Sequence, residues 1–413
     1  MEGKRGFASV WRLLAVAAGI RVARSAVTQR FDDESAAFLE ALFVRAVSRL
    51  PSARCPELLS RLEPFRAVLG DDATVLQLSP LLGKRFPATR TKTMGAAGKL
   101  QVRADLVHRQ ILGVVVTGER QSDLGVARSQ PVERGTLYIR DLGYMDYDEL
   151  ARLVEQGGEF RMRLKEGAAP RIVKVRHGLR NGADLVRRGV RWNEVTEMEG
   201  ATSRTTMDLD AAFATKSYGE IVLRVVGVLN PETDTYHFHV TSLDPAQFSP
   251  EGIRTLCALR WQIELLMKLL RSSCHLDPLD TSDPGALRTH IYASLLAAVI
   301  LSAVVAAAAA AHGLPARVIR PLMVGIAAPL FRLPLLWVWL GQGPTPEEIA
   351  DSLLGMIAVG CRDQNPNRTG DKWGCLARNS RRPNPSRRSD IHRHQTNRRR
   401  DPPTWNTIIM SSR

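Results

Sequence analysis

Apolar and polar positions along the chain follow two rhythms, and the changes between them mark out its elements. From Glu34 to Leu50, ESAAFLEALFVRAVSRL returns to apolar residues every three or four positions, the period of an amphipathic helix. Pro51 and Pro56 interrupt the pattern, and CPELLSRLEPF repeats it as a shorter helix. The period then falls to two. ATVLQL (73–78), KLQVRADLVH (99–108) and ILGVVVTGE (111–119) are rich in β-branched residues and predict strands, the last two a hairpin around Arg109 and Gln110. TLYIRD (136–141) and EFRMRL (159–164) predict strands on either side of a helix, YDELARLVEQGG (147–158), closed by its glycines. Strand and helix alternating in this way predict an α/β sheet. Over 170–246, RIVKVRHGL, GEIVLRVVGVL and TYHFHVTSL read as strands with no strong helix between them, an antiparallel insertion. A long helix is predicted to start at Ser249, as N-cap, and Pro250, in the first turn, and to run to about Ser273.

Ile291 to Ala311 contains 21 residues and no charge, enough to cross a bilayer. It is dominated by alanine, and the apolar run that follows, Leu322 to Gly341, is broken by Pro329, Arg332 and Pro334. A buried core helix is the expectation, and a membrane span at 291–311 is the alternative. The N-terminal stretch LLAVAAGI is short, lacks a clear small-residue cleavage site and runs at once into Arg21 and Arg24, so no signal peptide is expected.

At 413 residues the chain suggests two or three units, and 44% hydrophobic with 24% charged residues excludes a wholly disordered polymer. Lys and Arg number 57 against 42 Asp and Glu, a net charge of +15, which points to a polyanion or an anionic membrane surface as partner. From Cys361 onward there are 13 Lys and Arg against four Asp and almost no apolar residues over RRPNPSRRSDIHRHQTNRRRDPP, the composition of a disordered basic tail. The five cysteines, Cys55, Cys257, Cys274, Cys361 and Cys375, are odd in number, widely spaced and contain no C-x-x-C pair. Neither a zinc ribbon nor a disulfide framework is indicated, and a reduced cytoplasm is expected.

The chain has no G-x-x-x-x-G-K-[ST] loop, G-x-G-x-x-G, H-E-x-x-H or G-x-S-x-G motif, so nucleotide-driven, dinucleotide, zincin and α/β-hydrolase chemistry lose their usual markers. His237 and His239 share a strand face but lack an evident third metal ligand, and read as ordinary strand residues. The long helix is more informative. At about 100° per residue, Cys257, Arg260, Glu264, Lys268 and Arg271 fall on one side and Leu256, Leu259, Ile263, Leu266, Met267 and Leu270 on the other. One face is a core stripe; the other sets a single carboxylate among three cations. Spacing alone describes a salt-bridged helix surface as well as it describes a site.

The segment RWQIELLMKLLRS resembles the signature region of DDE transposases of bacterial insertion sequences, specifically the insertion-sequence-4 family. The family pattern (YREK) is Tyr, two residues, Arg, three residues, Glu, six residues, Lys; Cys257, Arg260, Glu264 and Arg271 stand in those places. Cysteine for tyrosine removes a hydroxyl, and arginine for lysine keeps the charge with a different phosphate geometry. Asp72-Ala73-Thr74-Val75 resembles the D-x-T strand of the family's first aspartate, with Asp71 adjacent as the second candidate. Asp141-Leu142-Gly143-Tyr144 resembles the second aspartate with its Gly-Tyr turn, and Arg163-Leu164-Lys165 the R-L-K strand after it. The likeness covers roughly residues 30–345 and leaves out the arginine-rich tail.

The resemblance implies an α/β fold with an RNase H-like catalytic core, interrupted by an antiparallel β insertion and flanked by helical N-terminal and C-terminal regions. Taken with the periodicity and composition, it divides the chain into a helical region at 1–70 with a role in binding end DNA, a first part of the core at 71–168, the insertion at 169–247, the helix of the catalytic glutamate with the C-terminal helices at 248–345, and, outside the likeness, a short helix with the basic tail at 346–413. It implies Asp72, Asp141 and Glu264 as catalytic residues and ligands of two Mg²⁺ ions, with Mn²⁺ as a substitute. Arg260, Arg271, Lys268 and Arg163 are then candidates for DNA phosphates, and Trp192 for stacking on an unpaired base, with packing in the insertion as the commoner alternative for it. The partners would be terminal inverted repeats and target DNA, bound by a homodimer in a synaptic complex in the bacterial cytoplasm, associated with the nucleoid and not with membrane. A catalytically impaired DNA-binding relic, a hydrolytic nuclease of the same fold and a membrane protein spanning at 291–311 are the competing expectations.

Overall fold

The computed structural model describes residues 23–50, 62–89, 95–108, 110–197, 206–230, 235–276, 279, 281–314, 319–327, 334, 338, 341 and 343–362. The LLAVAAGI run, most of CPELLSRLEPF, the side chain of Cys257 and the basic tail lie outside the described residues. In chain order the elements are helices α1 (Arg24–Thr28) and α2 (Asp33–Arg49), strands β1 (Ala67–Leu78), β2 (Ala96–Asp105) and β3 (Gln110–Gly118), helix α3 (Asp123–Ser129), strand β4 (Thr136–Ile139), helix α4 (Tyr147–Glu155), strands β5 (Glu159–Arg163) and β6 (Arg171–His177), helices α5 (Gly182–Arg187) and α6 (Trp192–Glu197), strands β7 (Met207–Ala214), β8 (Glu220–Asn230) and β9 (Thr235–Thr241), and helices α7 (Pro250–Ser272), α8 (Pro284–Ala311), α9 (Pro321–Ala327) and α10 (Pro346–Gly360).

Among the described residues all nine strands belong to one sheet, in the order β3-β2-β1-β4-β5-β9-β8-β7-β6. Its centre is parallel, with β1 paired to β4 and β4 to β5, and every other pairing is antiparallel. The β1–β4 ladder is short, running only from Ala67 opposite Thr136 to Leu69 opposite Tyr138, whereas β1 stays paired with β2 as far as Leu78. The chain leaves the parallel centre after β5, builds β6 to β8, and returns through β9, which pairs with β5. Segment 169–247 therefore continues the same sheet and carries two short helices, α5 and α6, as well as the strand β7.

Alternating side chains send apolar residues to both faces of the sheet. Val68, Leu137, Ile139, Val226 and Val228 pack under Leu256, Leu259 and Ile263 of α7. On the opposite face Leu69, Tyr138, Phe160, Met162, Leu209 and Val225 pack with Leu150 and Leu153 of α4 and with Trp192. The second half of α7 enters another core, where Met267 and Leu270 meet Phe43 and Val47 of α2, Leu76 and Leu78 of β1, and Leu287, Ile291 and Leu295 of α8. α7 starts where its cap requires: Ser249 accepts from Gly252 N–H, and Pro250 occupies the first turn.

α8 is long and apolar enough by length and composition to cross a membrane, and it packs against α2, α7, α9 and α10. Its N-terminus is tied to α2. A Cβ on Gly285 would stand 2.8 Å from the backbone carbon of Asp32, so the close approach of the two helices needs glycine there. Arg288 reinforces the contact with Asp33 at 3.1 Å and Glu40 at 3.5 Å.

Several boundaries differ from the sequence reading, among them the end of β4, which stops at Ile139 and not at Asp141. β1 begins at Ala67, ahead of the expected 73–78, because Gly70-Asp71-Asp72 breaks the apolar alternation without breaking the strand; the 70/71 division falls inside it. β2 ends at Asp105, not His108, because the Asp105 carboxylate accepts from Val107 N–H at 2.8 Å and His108 N–H at 2.9 Å and turns the chain. The reading missed β7, whose sequence MDLDAAFA dilutes the alternation with alanine and two aspartates.

Candidate active site

The parallel strands part just beyond their last paired rung, and the crevice that opens at the carboxyl ends of such strands is where open α/β sheets bind ligands. Asp72 and Asp141 each lie three residues past that rung, Leu69 opposite Tyr138. Both keep the parity of the residues packed under α7, so both carboxylates belong to the face that α7 covers. Asp72 is half-buried within β1, and its Oδ1 accepts from Ala73 N–H at 2.8 Å. Asp141 is exposed, lies in extended backbone two residues past the end of β4 and precedes a 3-10 turn, Leu142–Tyr144. Glu264 projects from α7, half-buried, one turn after Arg260. Arg260 pairs with Glu264 and approaches Asp141 with Nη1 3.8 Å from Oδ1.

Asp72 feels the other two acids. Burial pushes the Asp72 carboxyl up to about 6, and the negative charges of Asp141 and Glu264 add to the rise; Ala73 N–H and Arg260 oppose it. Asp71, one residue earlier, has the opposite environment on the opposite face. Burial alone would raise it too, but Arg103 and Arg140 outweigh burial and hold it at about 2. Its Oδ1 accepts from Arg103 Nε at 2.7 Å and its Oδ2 from Arg140 Nε at 2.6 Å. Asp71 is thus spent on structure, and Asp72 is the acid turned toward Asp141 and Glu264.

Of the cations singled out from sequence, Lys268 and Arg271 are exposed on α7 and Arg163 is half-buried at the end of β5. Lys268 Nζ lies 5.0 Å from the ring centre of Trp261, itself exposed beside Arg260 and absent from the sequence reading. Lys165 ties the end of β5 to the turn after Asp141 by donating to Met145 C=O at 2.6 Å. Trp192 corrects the expectation of base stacking. It is buried, with Phe238 against it edge-on at 4.7 Å, and offers no open ring face. His239 is buried and accepts at Nδ1 from Arg161 Nη2 at 2.7 Å. Tyr144 is buried, burial pushes its phenol far up, and it lines a cavity of about 80 Å³ with Asp71, Gln101, Arg103, Asp123 and Glu133.

Three carboxylates supply the hard oxygen donors that a divalent cation prefers, and the raised Asp72 marks an acidic site short of positive charge. Among the described residues no three His, Cys, Asp or Glu side chains stand close enough together to hold a metal ion as they are; the positive charge that meets Asp141 and Glu264 is Arg260. The donor chemistry fits a divalent cation, and ligation requires Asp141 and Glu264 to exchange Arg260 for it.

Residues 72–300, more than half of the chain, match the family described as the transposase DDE domain. The transposase for insertion sequence element IS231B of Bacillus thuringiensis subsp. berliner is 24% identical over 324 residues, which covers 70% of this chain and 67% of that protein. The putative transposase InsL for insertion sequence element IS186A of Escherichia coli (strain K12) is 38% identical over 78 residues, covering 19% of this chain and only 21% of the relative. Among solved structures, the piggyBac transposase in a synaptic complex with hairpin DNA aligns with a TM-score of 0.36 and 10% identity, over 74% of this chain and 62% of that one.

Proposed function

This chain belongs to the family of transposase DDE domains, and from that premise we propose that it cuts and joins DNA at the ends of an insertion sequence, with Asp72, Asp141 and Glu264 as its catalytic carboxylates. The observation that carries this reading is the convergence of three acids separated widely in sequence: Asp72 and Asp141 lie level on the sheet face under α7, Arg260 of α7 pairs with Glu264 and lies 3.8 Å from Asp141, and both acids add to the rise of the buried Asp72 carboxyl. The strand order β3-β2-β1-β4-β5, antiparallel on one side of β1 and parallel on the other, supports an RNase H-like core. The wording RWQIELLMKLLRS supports the insertion-sequence-4 family within the transposases.

In this reading Asp72, Asp141 and Glu264 would together hold two divalent cations, Mg²⁺ or Mn²⁺. Bound there, the ions supply Lewis acidity for an in-line attack on a phosphodiester by water or a 3′-hydroxyl. Arg260, released from Asp141 and Glu264, turns to a DNA phosphate beside the scissile bond, and Arg271, Lys268 and Arg163 extend the cationic track. Joining exchanges one phosphodiester for another, so no nucleotide cofactor is called for. The partners are terminal inverted repeats and target DNA, held by a homodimer, and the protein acts on the nucleoid in the cytoplasm.

The test is a Mg²⁺-dependent cleavage and joining assay on DNA carrying the inverted repeats that flank the gene, with Glu264→Gln alongside. Products that vanish in the variant while DNA binding persists support the reading. Unchanged cleavage by Glu264→Gln overturns it, and specific binding without any cutting by the parent protein marks a catalytically impaired relic.

A further inference from the structure

We propose that the buried network Asp71–Arg140–Glu149 is a positioning device that sets the separation of Asp72 and Asp141. The inference rests on the reading of those two carboxylates as metal ligands. Backbone pairing does not fix their separation, because the β1–β4 ladder stops at Leu69 and Tyr138, and β4 itself ends at Ile139. Two residues past the last rung the connection is made by side chains instead: Arg140 Nε donates to Asp71 Oδ2 at 2.6 Å. Each partner of this clamp immediately precedes a ligand. Strand alternation sends Asp71 and Arg140 to the α4 face and Asp72 and Asp141 to the α7 face, so the clamp holds both ligands from behind without obstructing them.

The clamp is anchored on both sides. Arg140 Nη1 donates to Glu149 Oε1 at 2.7 Å, and Arg152 donates to the same carboxylate from Nε and Nη2, each at 2.9 Å. Arg103 reaches Asp71 from β2 at 2.7 and 3.1 Å. Arg140 is 1% exposed and Glu149 fully buried. Well-packed apolar residues commonly replace such buried ions without loss of stability, so stability alone does not account for the network. What an apolar pair cannot supply is direction. The planar guanidinium spans β1 and α4 through two different nitrogens, fixing where β4 ends; a lysine ammonium keeps the charge but loses that fork.

The test measures Mn²⁺ binding by calorimetry, without DNA, on the full chain. Arg140→Lys should bind Mn²⁺ about tenfold or more weakly, the range seen when groups behind metal ligands are altered. The control is Arg224→Lys, which alters a comparable buried pair, Arg224 with Asp208 at 2.6 and 2.9 Å, on β8 and β7 away from the crevice. It should lower the thermal midpoint to a similar degree and leave Mn²⁺ affinity unchanged. Should Arg140→Lys fail to fold, Glu149→Gln carries the test: it keeps the shape and the Asp71 contact, and should still weaken Mn²⁺ binding. Wild-type Mn²⁺ affinity in the folded variant, whatever its midpoint, overturns the proposal. Asp72→Asn and Asp141→Asn separate the two readings: if neither weakens Mn²⁺ binding, the carboxylate assignment fails and the positioning role with it; if both do and the network variants do not, only the positioning role fails.

Discussion

Arg260 stands between Asp141 and Glu264, pairing with the second one turn along α7 and lying 3.8 Å from the first across the crevice. The same guanidinium pulls the Asp72 carboxyl down against burial and two neighbouring acids. Replacing it with Gln should move the Asp72 titration further above about 6 in the metal-free protein, since one of the two influences opposing the rise is lost. Carboxyl-carbon NMR titration reads this directly; an unmoved Asp72 would show that Arg260 has no electrostatic hold on the site.

Asp71 and Asp72 should respond to pH in opposite senses. The Asp72 carboxyl is raised in the fold, so its cost is absent below the unfolded value of 3.8 and grows until pH passes about 6. Asp72→Asn should therefore stabilise the metal-free protein at pH 7, by at most about 3 kcal/mol at about 1.4 kcal/mol per unit, and leave it unchanged near pH 3. Denaturant midpoints at the two pH values check this.

Asp71 is lowered, so its contribution is present above 3.8 and disappears as pH falls toward about 2. Asp71→Asn removes the anion between Arg103 and Arg140 and should cost about 3–5 kcal/mol at pH 7, the penalty of breaking a buried ion pair from one side. A denaturation curve like that of the parent protein would contradict the buried pairing.

Arg271→Ala should weaken DNA binding and make the dependence of log affinity on log salt shallower by about one phosphate contact. Because that contact's counterion release is lost, the deficit is larger at low salt than at high salt. A parallel, merely lowered plot would place Arg271 off the phosphates.

Gly285→Ala should destabilise by about 1–3 kcal/mol, since the new methyl meets the backbone of Asp32 and Asp33 at 2.8 and 2.9 Å, where neither side can yield without shifting a helix. A thermal midpoint equal to that of the parent would mean that α2 and α8 part readily.

The long helix α7 was legible because its signals are local: Ser249 and Pro250 mark its start, and one apolar stripe gives its buried face. The first strand was only half legible, because its acids belong to a crevice and a buried clamp, and a window of sequence sees only an interrupted apolar run. The D-x-T wording prefers Asp72 to Asp71 only by resemblance; the physical reason, strand parity and arginines more than thirty residues away, is contained in no local pattern. The Arg140–Glu149 pair was invisible for the same reason. Trp192 shows the converse limit: a tryptophan in GVRWNEV is open in sequence to packing, the commoner fate, or to stacking, and its burial against Phe238 decides for packing.

The order of the strands also determines which backbone is left unpaired at the rim of the sheet. Without β9, strand β5 (Glu159–Arg163) would end the sheet with Phe160 and Met162 on it and a row of unused peptide groups, a ready template for another chain. The actual rim on that side is β6, where Arg171, Lys174, Arg176 and His177 interrupt the apolar positions. Segment 169–247 thus trades a sticky margin for a charged one. A chain shortened to skip it would be expected to self-associate through β5 even with all three carboxylates in place.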